Sequence, residues 1–256
     1  MNTPAAIGFD IGSRSGKVVV IDRDGAFLHS AMVETVGNAL RTFDDLRAAL
    51  PSGLFPALPS IATGYGRTAL EGRVTRTATE ITCHALGALR RLPGVATVID
   101  IGGQDAKIIA IEEGRVRDFA MNDKCAAGAG RFLEVMAPRL GLTLEEFARL
   151  DVAKIEPLPL SATCTVFAES EIVSLMASGA DPVVLAASVA AMAARMAALL
   201  AAPLHARSPF FMTGGVSRIA PVRNHLALIL GHPVETSDDA TLCGAHGAAL
   251  LALKGG

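Results

Sequence analysis

A chain of 256 residues is long enough for one large domain or two of about 100–150 residues, and a formal net charge of −2 gives no electrostatic case for nucleic acid or an acidic membrane surface. The four cysteines, Cys83, Cys125, Cys164 and Cys243, are too few and too dispersed for a secreted disulfide framework, and none forms the C-x-x-C pair of a zinc ribbon. With no basic region or long apolar core in MNTPAAIGFD, the expectation is a cytoplasmic protein whose metal, if any, gathers ligands from distant loops or from two chains.

The first element, FDIGSRSGKVVVIDRDG (9–25), nearly spells a phosphate-cradling P-loop. A P-loop reads G-x-x-x-x-G-K-[ST] and opens a helix. Here Gly12 lies one residue too close to Gly16, Val18 replaces the magnesium-binding hydroxyl, and the β-branched run VVVID closes on the turn signal DRDG. The glycines are therefore predicted to join two strands of a hairpin. Helical spacing follows in NALRTFDDLRAAL (38–50), a strand-like run in IATGYG (61–66), and helical spacing again in RTATEITCHALGALRRL (76–92).

The opening motif then returns. Asp10-Ile-Gly to Lys17 aligns with Asp100-Ile-Gly to Lys107, so D-I-G-x-x-x-x-K recurs with one internal spacing, and each copy runs on to a glycine turn, at Gly25 and Gly114. This is the mark of a duplication, and it predicts two similar domains: 1–91 joined by a returning 238–256, and 92–237. An aspartate at the end of a strand and backbone amides in the turn are what a magnesium-bound polyphosphate needs. Two such turns facing each other would clamp phosphates from both sides.

Helical spacing continues in GRFLEVMAPRLG (130–141) and TVFAESEIVSLMASG (165–179). The apolar stretch 182–204 is read as a buried helix and not a membrane span, because alanine contributes little to insertion, Arg195 falls near its middle, and Asp181-Pro182 is a helix start. A third glycine turn lies in FFMTGGVSRIAPVRNHL (210–226), where the missing side chains of Gly214 and Gly215 would let an adenine ring approach the backbone. The last helix, in DDATLCGAHGAALLALK (238–254), has Gly244 and Gly247 for close packing, a structural role. Mixed strands and helices around two duplicated cores predict an α/β fold.

Taken in order, these parts resemble the superfamily of acetate and sugar kinases and actin-like ATPases. The resemblance implies two duplicated ribonuclease H-like (actin-like ATPase) domains with a nucleotide cleft between them. Within that superfamily MNDKCAAGAGRFLEVMA (121–137), LSATCTVFAESEIVSLMASG (160–179), EITCHALG (80–87) and VIDIGGQDAK (98–107) are similar to the ATP-dependent activators of 2-hydroxyacyl-CoA dehydratases and to the ATPase subunits of benzoyl-CoA reductase. The resemblance implies a homodimer sharing one [4Fe-4S] cluster, to which each chain supplies Cys125 and Cys164. It also implies ATP/ADP and Mg2+ as cofactors, an upstream ferredoxin or flavodoxin, and a low-potential electron passed to a dehydratase, a benzoyl-CoA reductase or a double-cubane cluster reductase in an anaerobic setting.

On that footing Asp10 and Asp100 would organise magnesium and its waters, while the amides around Gly12, Ser13, Ser15, Gly102 and Gly103 hold phosphate oxygens. Gln104 and Asp105 would position the attacking water. Lys17 and Lys107 either approach the phosphates or are solvated strand residues; Glu134 either faces the ribose or lies on an exposed helix face. Cys125 precedes the small residues Ala126 to Gly130 and a helix start, a setting that favours a thiolate. Cys83 and Cys243 are read as small buried hydrophobes. Arg14, Ala129 and Ile219 depart from the family pattern, as do Cys243 and His246 in the last helix. The alternative of another class is a small-molecule kinase of the same superfamily.

Overall fold

The computed structural model describes residues 3–122, 129–152, 154–161 and 164–255. They form two compact units, one of Met1–Gly94, Glu113–Val116 and Asp239–Gly256, the other of Val95–Glu112 and Arg117–Asp238.

The first unit is built on a sheet of β1 (Pro4–Ile11), β2 (Ser15–Asp22), β3 (Phe27–Glu34), β4 (Ser60–Thr63) and β5 (Arg76–Thr77), in the order β3-β2-β1-β4-β5. β1 and β2 are antiparallel, β2 and β3 likewise, and β4 runs parallel to β1. Apolar residues run almost unbroken through β1 and β2 because both faces of the sheet are covered. Ile7, Phe9, Ile11, Val18 and Val20 pack on Phe43 and Leu46 of α1 (Ala39–Ala48). The alternate residues Ala6, Val19 and Ile21 pack on Cys83 of α2 (Glu80–Arg91) and on Ala245, Ala248 and Ala249 of α8 (Cys243–Lys254).

Helix α8 leaves no clearance. A side chain at Gly8 would collide with the Ala245 carbonyl, one at Gly87 with the Cys243 carbonyl, and one at Gly247 with the Cys83 carbonyl. The helices α2 and α8 thus cross through C-x-x-x-G segments, Cys83 to Gly87 against Cys243 to Gly247. His246 lies in the first turn of α8, its Nε2 3.0 Å from the Gly25 carbonyl and its Nδ1 3.0 Å from Arg91 Nη1, with Phe27 packed on the ring. Arg91 in turn pairs with Asp239 at 2.7 Å. Burial and then the Arg91 charge push the His246 pKa down to about 4, so the neutral ring accepts from Arg91 and donates to Gly25.

The second unit repeats the sheet with β6 (Thr97–Ile101), β7 (Ala106–Glu112), β8 (Arg115–Asn122), β9 (Phe210–Thr213) and β10 (Val234–Glu235), in the order β10-β9-β6-β7-β8. Strand for strand this is the order of the first unit, so the duplication extends well beyond the two hairpins, and the α/β reading holds. Between β8 and β9 lie α3 (Gly130–Arg139), α4 (Leu144–Ala148), α5 (Thr165–Ala177) and α6 (Pro182–Ala201); α7 (Ala220–Leu230) follows β9. α6 begins where the sequence places it, Asp181 accepting from the Val183 N–H at 2.8 Å with Pro182 in the first turn. By length and composition α6 could cross a membrane, but its Leu185, Ala186, Val189 and Ala193 are core residues beside Ile99, Phe132, Met136 and Phe210.

Candidate functional site

Sequence spacing becomes geometry at the hairpin turns. In β1 and β2, Asp10 pairs across the ladder with Lys17; in β6 and β7, Asp100 pairs with Lys107. Each carboxylate is buried, and each ammonium approaches its Oδ2, at 3.8 Å in the first hairpin and 3.6 Å in the second.

The two lysines then part company. Lys17 Nζ donates to the Ser15 carbonyl at 3.2 Å, whereas Lys107 Nζ donates to Asp105 Oδ2 at 2.7 Å. Lys107 is 3% exposed, so of its two sequence readings that of a solvated strand residue is wrong. Asp105 is committed to that ion pair, while Gln104 is exposed. Ser13 and Gly12 are half-buried in a turn held by Thr35, whose Oγ1 donates to the Gly12 carbonyl at 2.8 Å.

The second turn is tied to α3. The carbonyls of Gly102 and Gly103 accept from the Gly130 and Arg131 N–H groups at 2.8 and 2.7 Å. In a trans peptide N–H and C=O point opposite ways, so the amides of Gly103 and Gln104 point away from α3. Glu134 on α3 is half-buried and pairs with Arg131 at 3.1 Å.

Both aspartates also face a threonine that sequence reasoning did not single out. β4 brings Thr63 opposite Asp10, and β9 brings Thr213 opposite Asp100. Thr213 Oγ1 donates to Asp100 Oδ1 at 2.9 Å. The signal lay in the two T-G dipeptides of IATGYG and FFMTGG, which only parallel pairing brings beside the aspartates.

Gly214 is tightly packed on the side where a side chain would stand. It is left-handed, at φ 80°, and a side chain there would meet the Ile101 carbonyl and, at 2.8 Å, Asp100 Oδ1. Gly215 has open space where a side chain would be, so a flat ring could approach there. Gly244 is likewise more than a packing glycine: a side chain would stand 2.8 Å from both Asp10 Oδ2 and His84 Nε2, which brings His84 into the cage around Asp10.

Of the cysteines, Cys164 is exposed at the N-cap of α5, with no side-chain capping bond. Cys125 lies outside the described residues. Cys83 and Cys243 are buried, and burial pushes the Cys83 thiol up to about 12, far from a thiolate at neutral pH. Among the described residues no three His, Cys, Asp or Glu side chains gather around a point that could hold a metal ion.

This architecture recurs in known proteins. The chain is 38% identical over 252 residues to the (R)-2-hydroxyglutaryl-CoA dehydratase activating ATPase of Acidaminococcus fermentans, covering 97% of this chain and 96% of that protein. It superposes with TM-score 0.88 and 32% identity on the activator of the 2-hydroxyisocaproyl-CoA dehydratase from Clostridium difficile with bound ADPNP, over 99% of this chain and 95% of the other. A ROK family glucokinase from Streptomyces griseus, 19% identical, with TM-score 0.62 over 98% of this chain and 100% of that one, shares the fold alone. Residues 7–252 match the BadF/BadG/BcrA/BcrD ATPase family, and the chain belongs to it.

Proposed function

We propose that this protein is an ATP-hydrolysing iron–sulfur electron donor that passes a low-potential electron to a 2-hydroxyacyl-CoA dehydratase, the kind of enzyme its relatives are named for activating. The observation that carries the redox half is Cys164: an exposed thiol at the start of a 13-residue helix, with no capping duty, where free N–H groups and the helix dipole favour an anionic ligand. Val166 and Phe167, just beyond it, are 65% and 68% exposed, an apolar surface that suits a partner chain. We read that partner as a second copy, each chain giving Cys125 and Cys164 to one [4Fe-4S] cluster; the buried Cys83 and Cys243 do not fit as ligands. Bound there, the cluster would supply a one-electron carrier, loaded by a cytoplasmic ferredoxin or flavodoxin.

The ATPase half rests on the duplicated turns. Magnesium keeps most of its waters and binds through one or two carboxylates and substrate phosphates, which suits one buried aspartate per turn. Asp10 and Asp100 take that role. Lys17, with one carboxylate beside it, offers charge to a phosphate, whereas Lys107 is neutralised by Asp100 and Asp105. Amides at Gly103 and Gln104 supply neutral donors.

The test is anaerobic purification followed by stopped-flow mixing with ATP and a dehydratase. The expected result is a brown protein whose iron absorption disappears in Cys125→Ser and Cys164→Ser, and partner reduction only with ATP. Partner reduction that proceeds equally without ATP would sink the proposal.

A further inference from the structure

Each of the two buried aspartates turns one oxygen toward a glycine and the other toward a lysine. Asp10 and Asp100 end strands whose parallel neighbours end in Thr-Gly, and the glycine in both is left-handed, at φ 93° and 80°. A side chain on that glycine would stand 2.6 Å from Asp10 Oδ1 or 2.8 Å from Asp100 Oδ1. The lysine across each hairpin approaches the other oxygen, Oδ2. One contact breaks the symmetry. Thr213 donates to Asp100 Oδ1, but Thr63, 0% exposed, has no hydrogen-bond partner for its hydroxyl among the described residues. The Cys83 thiol near it is a weak partner at best. A buried hydroxyl left unbonded is costly and calls for a physical reason.

We propose that Thr63 is a positioning residue of the ATPase site: with magnesium nucleotide bound, its hydroxyl donates to Asp10 Oδ1, as Thr213 does to Asp100, and fixes the carboxylate plane that presents Oδ2 to the cation. Rotation of an aspartate about χ2 is broad, so a carboxylate that must hold one orientation needs an external donor. Thr63 is the hydroxyl that strand register brings opposite Asp10, and the one partner it would give up is the weakly accepting Cys83 thiol. The assignment rests on the ATPase reading above.

The experiment is calorimetric titration with ADP, with and without magnesium, of the wild type, Thr63→Ser, Thr63→Ala and Thr63→Val, followed by steady-state ATP hydrolysis. Wild type and Thr63→Ser are expected to gain affinity on adding magnesium. Thr63→Ala and Thr63→Val keep their metal-free affinity, lose about tenfold of the magnesium-dependent gain, and lose kcat in proportion, as for one hydrogen bond to a charged group. Ser and Ala differ by one oxygen in the same cavity, so a packing defect alone would make them behave alike. If they match while the wild type shows the magnesium effect, the assignment falls and the ATPase reading stands. If the wild type shows no magnesium-dependent binding, both fall.

Discussion

The two hairpins share a motif, a strand register and a place in equivalent sheets, yet one is closed and the other open. In the second, Asp100 accepts from Thr213, Lys107 is held between Asp100 and Asp105, and the turn carbonyls hold the start of α3. In the first, Lys17 meets one carboxylate and a backbone carbonyl, and Thr63 has no bonded partner among the described residues. A single difference explains much of this: Ser15 occupies the place that Asp105 takes in the second copy. After duplication the same scaffold supports one hairpin tied down by its own side chains and one with fewer such ties.

The sharpest way to break that contrast is to remove each lysine. Lys107→Met strips the cation from two carboxylates in a buried setting and is expected to cost about 3–5 kcal/mol of stability, read as the midpoint of denaturant unfolding. Lys17→Met strips the cation from one buried carboxylate across a longer 3.8 Å contact, and is expected to cost less, about 1–3 kcal/mol, and to weaken MgATP binding as well. Equal stability losses in the two variants would erase the distinction.

A smaller effect in the first unit follows pH. His246 has its depressed pKa only because it is buried beside Arg91 in the first unit, so the unfolded chain binds its proton first as pH falls. The stabilisation is complete above the unfolded value near 6.5 and is lost progressively as pH drops toward about 4. By pH 5 the loss amounts to about 2 kcal/mol. His246→Asn should flatten that part of the stability–pH curve, and an unchanged slope would refute the role. Smallest of all, Ser15→Asp should draw Lys17 into a second ion pair, copying the closed hairpin. We expect severalfold weaker MgATP binding with about 1 kcal/mol or less change in stability.

Much of this was legible in the sequence because it is local. A hairpin of fixed length forces the cross-strand Asp–Lys pairing, and Asp181-Pro182 marks the start of α6 from its own chemistry. What escaped notice depends on which distant strand lies next to β1 or β6. Nothing near Thr63 in the chain says that it faces Asp10, and nothing in Gly244 or His84 says that α2 and α8 bring them to one carboxylate. The lysine readings stayed open for a related reason, since local sequence does not report whether a strand residue's tip is buried among carboxylates.

The return of α8 to β1 has a consequence for how the protein is made. Residues 95–238 lie between Gly8 and the helix that covers it. During synthesis the face of β1 and β2 carrying Ala6, Val19 and Ile21 therefore waits, without Ala245, Ala248 and Ala249, until the segment after residue 238 has emerged. The unit encoded in the middle can complete its core before the unit that begins the chain, and a ribosome stalled before Cys243 would carry a sheet with one face covered by α2 alone.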